Sequence, residues 1–191
     1  MGPSDTLIYR NRWGFIPGME FGLWKTASSP IQGVNDSKKL TEKRRQEVFH
    51  RILRYDLLLD FGIGEVSVEE IDRYGIDKAN DMVFSRAVHD LNQPPDYVLL
   101  DGDNPLMGWD MTLQQHRPKG DGLWWPVGAA SILAKVIRDS YMEELSLEYP
   151  SYQWARNAGY GTAQHTQALQ SIGACSHHRK QFIHSIVGRS A

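Results

Sequence analysis

The segment Pro94–Gly102, PPDYVLLDG, constrains the fold more than any other part of the chain. Its two prolines stop the preceding element, since neither offers an amide hydrogen. Tyr97-Val98-Leu99-Leu100 then runs apolar at every position before Asp101-Gly102. A strand with one wet face alternates in polarity, so an unbroken apolar run fits a central strand covered on both faces. Helices must provide that cover, and the sequence supplies their signals. Thr41 is a candidate N-cap, followed by an apolar stripe of Val48, Phe49, Ile52 and Leu53 ending near Arg54. Ser67-Val68-Glu69-Glu70 has capping-box spacing and opens a helical region that breaks near Gly75 and resumes to Leu91. A long helix is expected from about Gly128 to Tyr149, stopped by Pro150, and a last one over Ala163–Ile172 between Thr162 and Gly173. Phe61–Val68 alternates and predicts a short strand, with weaker strand signals at Thr6–Arg10 and Gly22–Thr26. The expected class is α/β, a sheet with helices packed on it.

With 191 residues the chain suits one domain spanning residues 1–191. No apolar run is long enough to span a bilayer, and the N-terminus lacks the basic-then-apolar layout of a secretory signal. The single Cys175 excludes an intramolecular disulfide and a cysteine zinc site. A cytoplasmic protein, monomeric and with no membrane partner, is the expectation. The net charge of −2 is uninformative, but its distribution is not. The region from Asp56 to Asp101 is acid-rich, whereas Tyr149–Ala191 has no Asp or Glu and carries Arg156, Arg179, Lys180 and Arg189. A second basic cluster comprises Lys38, Lys39, Lys43, Arg44, Arg45, Arg51 and Arg54. Two basic faces on a near-neutral chain are compatible with phosphate binding. Taken alone, the cluster over 43–54 reads better as a solvated helix face.

Several residues have the chemistry of a site, each beside a plainer reading. Asp101 at the C-terminal edge of an apolar strand stands where open α/β sheets bind ligands, or simply closes an Asp-Gly turn. Asp139 is either the i,i+4 ion-pair partner of Lys135 or a carboxylate at a closely packed helix–sheet junction. The packing follows from Ala129, Ala130, Ile132, Leu133, Ala134 and Val136, apolar on nearly every side of the helix. Two such carboxylates suit Mg²⁺, which takes few protein ligands and keeps its waters. Asn35-Asp36-Ser37-Lys38-Lys39, at a helix entrance, has the makings of a phosphate cradle. Lys119-Gly120-Asp121 reads as a turn. Tyr160 between Gly159 and Gly161 either stacks on a sugar or base, or half-buries in a surface turn.

In order and spacing these pieces resemble ribonuclease HII. The resemblance rests on GVNDSKKLTEKRR (33–45), EEIDR (69–73), PPDYVLLDG (94–102), KGD (119–121), AASILAKVIRD (129–139), YPSY (149–152), GYGT (159–162) and HHRKQF (177–182). It implies an RNase H-like fold, a central mixed sheet flanked by helices, with a small helical C-terminal part over about 150–191. It implies endonucleolytic cleavage of the RNA strand of RNA–DNA hybrids, and of ribonucleotides embedded in duplex DNA, with Mg²⁺ or Mn²⁺. In such an enzyme four carboxylates hold two metals, one activating water and one stabilising the departing 3′-oxygen. Asp101 and Asp139 then match the third and fourth carboxylates, Asn35, Ser37 and Lys38 the phosphate-contacting loop, and Tyr160 the tyrosine packing on the sugar at the RNA–DNA junction. Lys119 and Arg179 are the further substrate-binding candidates.

The first thirty residues depart from that pattern. Where the family carries Asp-Glu-x-Gly-Arg-Gly, this chain reads Leu7-Ile8-Tyr9-Arg10-Asn11-Arg12, and only Asp5 and Glu20 are acidic before Asp36. Ala158 stands where the family usually has Lys. With two carboxylates missing, little or no nuclease activity is expected of the chain as written. Three explanations compete: an unusual substitution by Asp5 or Glu20, a relative that binds hybrids without cutting, or misread sequence before about Ser29. Asn104–Val127 is equally aperiodic, and the two stretches hold five of the six tryptophans, which extends the third explanation to both.

Overall fold

The computed structural model describes residues 31–34, 36–54, 61–92, 94–180 and 183–184. The expected strands at Thr6–Arg10 and Gly22–Thr26, and the candidate Asn35, lie outside them. The described residues form two compact units: a sheet unit running through Glu65 and over Asp81–Val136, and a helical unit of Val66–Asn80 and Ile137 onward.

In the sheet unit, α1 (Glu42–Leu53) starts where Thr41 Oγ1 accepts the Arg44 amide at 3.3 Å. Its stripe works as the spacing predicts. Val48 and Ile52 are buried against Ile31, Ala129, Ile132 and Leu133, with Phe49 and Leu53 packed at the edge. Each aliphatic side chain so buried contributes about 1.5–3 kcal/mol. β1 (Val98–Asp101) pairs in parallel with β2 (Gln114–Arg117), in register from Val98 opposite Gln114 to Asp101 opposite Arg117. Val98 and Leu100 are buried with Val88 and Leu106, while Leu99 and Asp101 are partly exposed. The buried Gln114 side chain braces the connection between the strands. It donates to the carbonyls of Leu106 and Trp109 at 3.1 Å each and accepts the Leu106 amide at 2.7 Å. Asn104–Val127 is thus ordered structure despite its weak periodicity.

The expected strand at Phe61–Val68 is, among the described residues, a single bridge at Gly64. A Cβ at Gly62 or Gly64 would overlap the carbonyl oxygens of Ala87 and Val83. Both glycines therefore let this segment lie directly on the backbone of α3 (Ile76–His89). The long helix α4 (Trp125–Glu148) starts ahead of the expected Gly128. Pro126 does not prevent this, because its missing amide would be unpaired in a first turn anyway.

The helical unit matches its signals closely. α2 (Val68–Tyr74) opens with both bonds of the capping box, Glu70 amide to Ser67 Oγ at 3.2 Å and Ser67 amide to Glu70 Oε2 at 2.9 Å. Gly75, at φ +80°, separates it from α3. α6 (Ala163–Ile172) runs from its Thr162 cap to Gly173, at φ +78°. The core of this unit joins Met142 and Leu145 of α4 to Tyr152, Leu169 and Trp154, the first residue of α5 (Trp154–Asn157).

Candidate functional site

Asp101 closes β1, and its Oδ1 accepts the Gly120 amide at 2.9 Å. That bond ties the Lys119–Gly122 turn to the strand end. Gly120 sits in a tight place, since a Cβ there would stand 3.1 Å from the Trp124 ring and 3.2 Å from the Leu100 carbonyl, so those neighbours would have to give way. Lys119 adopts φ +62°, a left-handed conformation uncommon outside glycine. As a result Lys119 projects to solvent while Asp121 turns inward, to 7% exposure.

Asp121 was missed when KGD was read as a simple turn. Burial raises its pKa above the ordinary carboxylate value, the charges of Asp101 and Asp36 add to the rise, and Lys38 opposes it. The carboxyls of Asp121 and Asp36 are hydrogen-bonded. Burial also acts to raise Asp36. The Lys38 amide at 2.9 Å and the Lys39 ammonium at 3.6 Å outweigh it, so the Asp36 pKa falls below its usual value. The contact between the two carboxyls thus raises the pKa of Asp121 and lowers that of Asp36. The KGD motif was the available signal. Its inward-facing carboxylate showed only once the strand end it packs on was in place.

Ser37 and Lys38 belong to the same unit. Lys38 is exposed. Ser37 is buried, with Oγ 2.8 Å from Ser131 Oγ on α4. That contact uses one of the two hydroxyl hydrogens. Arg45 stiffens the loop by donating to the carbonyls of Ser37 and Leu40, each at 3.1 Å.

Among the described residues no group of three or more His, Cys, Asp or Glu side chains is placed to hold a metal ion. The donor set does suit a divalent cation held by few protein ligands. Burial and the charges of Asp101 and Asp36 disfavour an ionised Asp121, and a divalent cation there would offset both.

The other candidates, Asp139, Tyr160 and Arg179, lie in the helical unit. Asp139 Oδ1 is 3.8 Å from Arg138 Nη1. The Arg138 guanidinium carbon lies 5.8 Å from the centroid of the Tyr160 ring, and Nη2 donates to the Ala158 carbonyl at 2.9 Å. Tyr160 is 58% exposed, and Arg179 is buried at 5%. Arg179 therefore points into the unit rather than forming the expected basic surface, where Lys180 is exposed instead. Within its own unit, Asp101 has Asp121 as a neighbouring carboxylate.

The family model for ribonuclease HII matches residues 28–185, a span that includes Asn104–Val127. The chain is 45% identical over 153 residues to the ribonuclease HII of Wolbachia sp. subsp. Brugia malayi, covering 80% of this chain and 72% of that one. It is 44% identical over 156 residues to the ribonuclease HII of Shewanella loihica, covering 81% and 74%. Among solved structures it is similar to the ribonuclease H2 of Pyrococcus horikoshii OT3, with a TM-score of 0.65 at 23% identity over 83% of this chain and 82% of that one. Bst-RNase HIII, solved in complex with Mn²⁺, gives 0.57 at 18% identity over 74% and 51%. The fold is RNase H-like, and with more than two thirds of the Wolbachia and Shewanella enzymes matched, the chain belongs to the ribonuclease HII family of endoribonucleases.

Proposed function

We propose that this protein binds RNA–DNA hybrids, and DNA duplexes containing ribonucleotides, and hydrolyses the RNA strand with a divalent cation, Mg²⁺ or Mn²⁺. The observation that carries the reading is the buried Asp121 beside Asp101 at the end of β1, its pKa raised by burial and by the charge of Asp101. These two carboxylates would hold the cation. When bound, it supplies charge for activating water or for stabilising a departing oxygen. Lys38 and Lys119 project from the same unit and suit phosphate oxygens. The exposed Tyr160 ring offers a stacking surface for a sugar, with Arg138 behind it. Arg179 acts from inside the helical unit, as support. Asp139 is the competing second ligand, and substitution separates the two assignments.

A second reading is favoured by the missing Asp-Glu-x-Gly-Arg-Gly. Hybrid binding persists while cleavage is impaired, because two of the expected ligands are absent from residues 7–12. One experiment separates the readings. Purified protein and its Asp101→Asn, Asp121→Asn and Asp139→Asn variants are incubated with a labelled hybrid and either cation. Cleavage lost in Asp101→Asn and Asp121→Asn supports the first reading, while loss in Asp139→Asn with Asp121→Asn active returns the ligand role to Asp139. Salt-dependent binding without cleavage supports the second. Neither binding nor cleavage overturns both.

A further inference from the structure

The helical unit buries two histidines that the proposed reaction does not use. His165 of α6 and His178 are 1% and 3% exposed, and their Nε2 atoms are 3.2 Å apart. The remaining contacts settle the protonation of both rings. His165 Nδ1 lies 3.1 Å from the Tyr160 carbonyl oxygen, which can only accept, so Nδ1 carries the hydrogen. Its Nε2 is then an acceptor, facing Trp154 Nε1–H at 3.4 Å and His178 Nε2 at 3.2 Å. His178 must donate from Nε2, which leaves its Nδ1 as an acceptor for the Cys175 amide at 3.1 Å, with Cys175 Sγ at 3.2 Å. Adding a proton to either ring would set one N–H against another. Burial above all, then the neighbouring His165, pushes His178 down to about 4, and burial lowers His165 too. The other titratable side chains facing His178 are Cys175, His177 and Tyr152, and Glu148 stands near Cys175.

The chain of donors ends on the Tyr160 carbonyl. That oxygen also takes the Thr162 amide at 2.8 Å, so both its lone pairs are used. The Tyr160 amide donates to the Asn157 carbonyl at 2.8 Å, and Arg138 holds the adjoining Ala158 carbonyl. The loop that presents the exposed ring is thus fixed from beneath, and His165 is a side-chain donor at the tyrosine's own carbonyl.

We propose that His165 and His178 are positioning residues for Tyr160, with His178 holding His165 in the tautomer that donates to the Tyr160 carbonyl and so sets the ring for nucleic acid. The last step rests on the hybrid-binding reading above. The tautomers dictate the test. An asparagine amide can occupy the place of a histidine Nδ1–H, and a glutamine amide that of Nε2–H. Asparagine should therefore rescue position 165 and glutamine position 178, whereas a role in filling volume would favour the same residue at both.

Two measurements are made on the full chain: amide hydrogen exchange at Thr162, and hybrid affinity by fluorescence anisotropy in EDTA, where no cleavage occurs. Expected are loss of Thr162 protection and roughly fivefold weaker binding in His165→Gln and His178→Asn. His165→Asn and His178→Gln should stay near wild type, and His165→Gln combined with Tyr160→Ala should bind no worse than Tyr160→Ala alone. Equal behaviour of Asn and Gln at both positions, or effects that multiply with Tyr160→Ala, would overturn the proposal. Should the wild type bind no hybrid, the functional reading fails by itself, and the exchange pattern alone decides the positioning role. Should His165→Gln not fold, the His178 pair carries the same contrast.

Discussion

In the sheet unit Asp121 is buried beside the carboxylates of Asp101 and Asp36, and burial together with their charges raises its pKa. In the helical unit His165 and His178 are buried more deeply still, and every polar atom of both rings meets a complementary partner without any charge. An isolated buried charge is costly. The histidines avoid it by matched tautomers and need nothing from outside. The carboxylates instead crowd like charge into one buried place, which raises the pKa of Asp121 and which a cation would offset. A buried polar cluster closed on itself is a support, and one that gathers uncompensated like charge is a place for a cation.

The largest expected effect tests the direction in which each cluster responds to acid. His178 has a folded pKa of about 4, below its ordinary value of 6.5. The unfolded chain therefore binds more protons between those values, and stability is lost as pH falls through that window. The cost is on the order of 3 kcal/mol at the acid end. Asp121 has the opposite sign. Its folded pKa is raised, so its destabilising effect is present above that pKa and relieved on acidification. Hydrogen exchange corrected for intrinsic rates should show the helical unit loosening toward pH 4 while the surroundings of Asp121 do not. His178→Gln, which cannot titrate, should flatten the first response, and a helical unit indifferent to pH would break the contrast.

Next in size, Asp121→Asn should lower Mn²⁺ affinity by at least about 100-fold, read by titration calorimetry. His178→Gln should leave that affinity unchanged. Gly120→Ala follows, at about 2 kcal/mol of stability in a denaturant melt, because its Cβ meets the Trp124 ring and the Leu100 carbonyl. It should also weaken the metal site by displacing the amide that holds Asp101. Smallest is Ser67→Ala, which removes the capping box of α2 at about 1 kcal/mol and should alter neither cation nor hybrid binding.

Local signals predicted the elements whose ends are closed by their own residues. Thr41, Ser67 and Thr162 each cap the helix expected of them, and Gly75 and Gly173 stop α2 and α6. These bonds span at most a few residues, so the sequence around them contains all the partners. β2 was not legible, because Gln114-Gln115-His116-Arg117 carries no strand pattern. It is a strand because β1 offers it a ladder and because the Gln114 side chain is consumed in bracing the loop before it.

The site divides along the same line. Asp101 was visible as the polar end of an apolar strand, and Tyr160 as an aromatic between two glycines. Asp121 and the His165–His178 pair were not. A carboxylate in a turn and a histidine on a short helix read alike whether they face water or a core. Sequence alone established the family, most helix limits and the place of Asp101 at the end of an apolar strand, since each rests on residue order or on bonds between near neighbours. Tertiary structure alone decided which acid has its pKa raised and which histidines pair as neutral tautomers, because those depend on groups apart in sequence that share one desolvated space.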